Sequence, residues 1–117
     1  MYIESIRNYC LSKKAVTEGL SFGNEVLVFK VAGKMFLLAS IEDQPLWMNL
    51  KCDPEKAIDL RERYVSIHPG YHISKIHWNT VEVNGELKSE LIQELIDHSY
   101  YLVVSKLTKK TKEELFL

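Results

Sequence analysis

The chain has 117 residues, 46% of them hydrophobic and 26% charged, with a formal net charge of −1 and a pI near 6.4. That is the make-up of one soluble globular domain, able to bury a core without disulfides or metals and too short for two ordinary domains. The balance excludes a generally basic chain of the kind that coats DNA, so any nucleic-acid role requires cations gathered in one patch.

No apolar run reaches the length of a membrane span, and "MYIESIRNYC" lacks a signal-peptide core. Cys10 and Cys52 sit far apart without ligand spacing, which points to reduced thiols. A cytoplasmic protein with no membrane partner is expected.

Ile3, Ile6 and Cys10 recur at helical spacing, so residues 2–13 read as an amphipathic helix. "TEGLSFGNE", with Gly19, Gly23 and Asn24, reads as a loop. "VLVFKVAGKMFLLAS" then gives two β-rich runs, residues 26–31 and 35–39, around an Ala32-Gly33-Lys34 turn, a hairpin pattern. "LWMNLK" alternates as a third strand. Asp53 before Pro54 and Glu55 marks a helix start, because the aspartate can cap, proline fits the first turn and an early acid suits the dipole. That helix should run to about Arg63. Pro69 and Gly70 forbid a helix around His68, and "HWNTVEV" forms the next strand, closed by an Asn84-Gly85 turn signal. A long helix follows over about 89–105, with Leu91, Ile92, Leu95, Ile96, Tyr100, Leu102 and Val103 on its buried side. Residues 108–117 read as a charged end, a frayed extension of that helix.

Consecutive strands joined by short turns imply an antiparallel sheet with the helices on one side. Side-chain alternation then assigns Leu27, Phe29, Val31, Leu46, Met48, Leu50, Val81 and Val83 to the core face. The opposite face receives Lys30, Trp47, Asn49, Lys51, Trp78 and Thr80, with Lys34 and Lys75 near the strand ends. Both tryptophans fall on this second face. Either a loop or the C-terminal tail buries them, or the aromatics, lysines and amides form a surface for stacking and phosphate contact. A protein partner could anchor on the same tryptophans.

Catalysis and metal binding find little support. His68 and His72 are separated by Pro-Gly, His72 and His77 would splay across a strand, and no carboxylate lies at a ligand-like offset. Cys52 precedes a helix start that could lower its pKa, but no base or oxyanion donor accompanies it. Neither a P-loop nor a GxGxxG is present. No enzyme activity, cofactor or metal is expected.

The segments "VTEGLSFG" at 16–23, "VLVFKVAGKMFLL" at 26–38, "NLKCDPEKAIDLRERY" at 49–64, "HPGYHISKIHWNTVEVNG" at 68–85 and "LIDHSYYLVVSKL" at 95–107 resemble the MmcQ/YjbR-like family, small bacterial domains of the CyaY-like class. "GLSFG" departs from the family's commoner proline before the phenylalanine. The resemblance implies a single α+β domain over 1–117. Its architecture would be a two-layer sandwich of order α-β(3)-α-β(2)-α, with a short strand near 66–72. It also implies a non-enzymatic DNA-binding module with a double-wing arrangement, or a protein-binding adaptor like the secretion chaperones that share the fold class. Fold alone does not choose between them.

The segment from Pro69 to Thr80 is the family signature. With the second face, it supplies the candidate site: Lys30, Lys51 and Lys75 for phosphate, Trp47, Trp78 and Tyr71 for base stacking, and Asn49, His72 and Asn79 for hydrogen bonds, beside His77 and Thr80. The expected partner is DNA or a single-stranded nucleic acid, alternatively a protein, and the chain is expected to act as a monomer.

Overall fold

The computed structural model describes residues 1–21, 25–71 and 73–117. The elements run α1 (Ile3–Leu11), β1 (Val16–Ser21), β2 (Val26–Val31), β3 (Lys34–Ser40), β4 (Leu46–Lys51), α2 (Pro54–Arg63), β5 (Ile67–Pro69), β6 (Trp78–Val83), α3 (Ser89–Ser105) and α4 (Lys109–Leu115). The strands form one antiparallel sheet in the order β1-β2-β3-β4-β6-β5. This is the expected α+β architecture with a strand added before the hairpin and a short helix after α3.

Two segments differ from the sequence reading. Residues 16–21 form edge strand β1 rather than a loop, paired residue for residue with β2 from Val16↔Val31 to Ser21↔Val26. Its sequence lacks alternation because most of it is exposed, and pairing with β2 supplies the order that local propensity does not. Gly23 and Asn24 of that expected loop lie outside the described residues. The C-terminal end forms its own helix, because the chain breaks after Ser105 and Thr108 starts a new turn, accepting a hydrogen bond from the Thr111 N–H at 3.2 Å.

The core lies between the sheet and α1–α3. Phe29, Val31, Leu37, Ala39, Met48, Leu50 and Val81 face it from the strands, and Ile6, Cys10, Ala57, Leu60, Ile92, Leu95 and Ile96 face it from the helices. Each fully buried aliphatic or aromatic side chain of this kind contributes about 1.5–3 kcal/mol. Ala32 and Gly33 both take positive φ, 49° and 79°, which suits a tight hairpin turn whose twist matches the strands. A register shift between Phe29 and Lys30 makes room for Phe36, which enters the core and meets Tyr100 edge-on at 5.5 Å.

α2 begins as its sequence implies, with the Asp53 carboxylate accepting from the Lys56 N–H at 3.3 Å and Pro54 in the first turn. Ser99 pins α3 to the sheet, donating to the Phe36 carbonyl at 2.5 Å and accepting from the Lys51 N–H at 2.9 Å. No helix among the described residues is long and apolar enough to cross a membrane.

Candidate functional site

The register confirms the parity of the second face: Trp47 lies opposite Glu82, Asn49 opposite Thr80, and Lys51 opposite Trp78. That face is not open throughout, however, because the segment after β5 folds back across its centre. The Tyr71 N–H donates to Thr80 Oγ1 at 2.8 Å, Thr80 donates on to Asn49 Oδ1 at 2.5 Å, and Asn49 Nδ2 donates to the Tyr71 carbonyl at 3.1 Å. Beside this ring of bonds Ile73 packs on a second apolar cluster of Val28, Leu38 and Trp78. Three side chains expected at an accessible surface are therefore buried, with Trp78 8% exposed, Asn49 3% and Thr80 0%. Burial gives them structural partners that a free surface would not.

Asn79 is also buried, and on the helix side of the sheet, where Arg61 Nε donates to its Oδ1 at 2.7 Å. Arg61 further donates to the carbonyls of Lys75 and Trp78, tying α2 to the covering segment. Tyr71 keeps its ring 42% exposed and stacked on His68 at 5.8 Å. Trp47 is half-buried, its Nε1 donating to Asp43 at 2.5 Å; the Ser40 hydroxyl, and after it this bond, hold the Asp43 carboxyl below its ordinary range. Lys30, Lys75 and His77 are exposed and Lys51 half-buried. His72 lies outside the described residues.

The sheet sorts charge along its strands, a property no single segment displays. Lys30 lies near the end of β2, Lys34 opens β3, and Lys51 closes β4 opposite the start of β6, where Lys75 and His77 precede Trp78. Ala15, next to Lys14, joins this end through its carbonyl and the Ala32 N–H. Lys106 reaches it from the end of α3, and α4 lies against it through the Lys14–Phe116 and Lys112–Ser105 contacts. Lys14, Lys30, Lys34, Lys51, Lys75, Lys106 and Lys112 thus lie at or beside one end of the molecule. Glu25, Glu42, Asp43, Glu82 and Glu86 lie at the other end, with Glu4 of α1 beside Asp43. Asp53, Glu55, Glu113 and Glu114 dilute the cationic end without reversing it.

At this end a cleft opens between Lys51 and Asp53 on one wall, Ser74 and His77 on a second, and Leu102 and Lys106 on a third, with Trp78 in its lining. It gathers Lys51, His77 and Trp78 from the expected site and adds Lys106, which follows α3. Trp47 and Tyr71 stay outside it. Both thiols are poor nucleophiles: burial pushes Cys10 up to about 12 and Cys52 up to about 11.

The YjbR family model matches residues 11–102. The chain belongs to the YjbR family. Among its relatives, the YbdF protein of Escherichia coli O157:H7 is 41% identical over 92 residues, which span 79% of this chain and 75% of YbdF. The YjbR protein of E. coli K12 is 29% identical over 114 residues, 97% of this chain and 96% of YjbR. Among solved structures, the Deinococcus radiodurans protein DR2400 superposes with a TM-score of 0.93 at 40% identity, covering 98% of this chain and 88% of DR2400. A Pseudomonas syringae protein gives 0.76 at 27% identity, covering 87% of this chain and 98% of its own. The matched stretch of this YjbR-family chain takes in the whole sheet, the covering segment and most of α3, and ends just before Lys106.

Proposed function

We propose that this YjbR-family protein is a non-catalytic nucleic-acid-binding module that engages phosphates with the lysine-bearing end of its sheet. The observation that carries this reading is the gathering of Lys30, Lys34, Lys51, Lys75 and Lys106 at one end of a chain whose net charge is −1. A near-neutral protein gains phosphate affinity when its cations are segregated, because each neutralised phosphate releases a condensed counterion. The buried, high-pKa thiols favour binding over catalysis. Anisotropy of a labelled oligonucleotide at low ionic strength tests the proposal. Binding that fades as salt rises, and is weakened by the double substitution Lys30→Ala with Lys75→Ala, is expected. Unchanged anisotropy at low salt would overturn it.

A second reading has one observation of its own. On the outer face a shallow groove runs between edge strand β1 and Ile73, floored by Val28, Met35 and Leu38. Such a strip beside an unpaired strand edge suits an extended protein segment. Capture of a partner that is lost on Met35→Asp, with oligonucleotide binding intact, would favour that adaptor role.

A further inference from the structure

The covering segment leaves little of Trp78 exposed, which rules out a row of bases stacked along the outer face. The cleft at the lysine end is accessible, and its walls are fixed by bonds to backbone N–H groups. The Cys52 N–H donates to the His77 carbonyl at 2.8 Å, and the Trp78 N–H donates to the Ser74 carbonyl at 3.0 Å. The Lys51 N–H is held by Ser99, and the Asp53 N–H by His98 Nε2 at 3.1 Å. Three segments are thus locked around one recess, so little backbone ordering is left to be done on binding.

Besides the Asp53 carboxylate, which also lines the cleft, the lining has two kinds of chemistry. Lys51 and Lys106 supply ammonium groups that enter no ion pair among the described residues, and Ser74 and His77 add further polar side chains. Cys52, Pro54, Trp78 and Leu102 supply the apolar part. The α2 N-terminus adds no anion site, because the Asp53 carboxylate already occupies it. Two lysines lining one recess suit a phosphate, a monoanion as the diester of a strand and a dianion as a free monophosphate. An adjoining apolar surface matches a flat, weakly polar body joined to that phosphate. A duplex keeps its bases stacked inside and does not present a free base face beside a phosphate.

We propose that this cleft receives one nucleotide of an unpaired strand, its phosphate between Lys51 and Lys106 and its base against the Trp78–Pro54–Leu102 wall. This rests on the reading of the lysine end as the phosphate-binding end, and it names the substrate class: single-stranded, with one nucleotide held.

The probe is thymidine 5′-monophosphate, read by Trp78 emission in a Trp47→Phe background, where Trp78 is the only tryptophan left. The expected result is a saturable emission change. It should weaken about tenfold on removing the phosphate (thymidine) and by a similar factor in Lys106→Ala or Lys51→Ala. Single-stranded oligonucleotides should bind tighter than blunt duplexes of the same length. If oligonucleotides bind with salt dependence but single and double strands bind alike, and the monophosphate leaves Trp78 unchanged, the cleft proposal falls and the phosphate-binding reading stands. Inorganic phosphate or an acidic peptide competing as well as the monophosphate also overturns it. If neither oligonucleotide nor monophosphate binds, both fall.

Discussion

Asn49 and Thr80 sit opposite each other on neighbouring strands, and their side chains hold down a segment that the strands alone would leave loose. Asn49 uses both ends of its amide, accepting from Thr80 and donating to the Tyr71 carbonyl. Truncation by Asn49→Ala leaves the Thr80 hydroxyl and the Tyr71 carbonyl short of partners in a buried place. A loss of about 1–3 kcal/mol is expected from urea unfolding, together with faster proteolysis near Tyr71. His98 is the residue whose protonation the fold opposes. Burial lowers its pKa, Lys56 nearby lowers it further, and Asp53 partly offsets both. Its Nε2 accepts the Asp53 N–H, which only the neutral ring can do. Since the folded pKa lies below the ordinary imidazole value of 6.5, the unfolded chain binds the proton more readily. This stabilisation is complete above that value and is lost as pH falls through the folded pKa. Urea midpoints should therefore drop between pH 7 and pH 5, and His98→Gln should flatten the drop.

Gly70 decides how closely the covering segment approaches β6. A Cβ there would lie 2.7 Å from Ile73 Cγ2, 3.0 Å from Trp78 Cβ and 3.1 Å from the Trp78 carbonyl oxygen. The Ile73 methyl could swing away, but the other two atoms belong to a paired strand and cannot. Gly70→Ala should therefore lift Ile73 off Val28 and Leu38, destabilise the fold by about 1–3 kcal/mol in urea unfolding, and shift Trp78 emission to the red. An unshifted spectrum and midpoint would mean that the segment is not held by this contact. The sequence displays the helices well, because Asp53-Pro54 and the 3.6-residue spacing of α3 are local signals. The hairpin is equally visible in its two β-rich runs. β1 is hidden because its six residues are ordered by their neighbour, and α4 because Thr108 reads as one polar residue among lysines. The covering of Trp78 is hidden for another reason: alternation assigns a face correctly but says nothing of a loop returning across it.

At the scale of the molecule, antiparallel connectivity converts a scattered set of lysines into one cationic end. β2, β3 and β4 each carry a lysine at or next to one terminus, and reversal of direction at each turn brings those termini together. Lys30 and Lys51 are legible from strand parity and Lys75 from its place near a strand end, while His77 comes with the family signature. Lys106 belongs to a lysine run visible in the sequence, but only the packing of α3 on β4 brings it into one cleft with Lys51. The strongest contrast the chain offers is between this end and Lys88, which lies near the acidic end at the start of α3. The decisive measurement is the salt dependence of single-stranded oligonucleotide binding for the parent protein, the double variant Lys51→Ala with Lys106→Ala, and Lys88→Ala. The log of the binding constant should fall linearly with log salt, with the slope reduced by about two in the double variant and unchanged in Lys88→Ala. Equal slopes for all three proteins, or no binding at low salt, would contradict the assignment of the lysine end as the phosphate-binding surface.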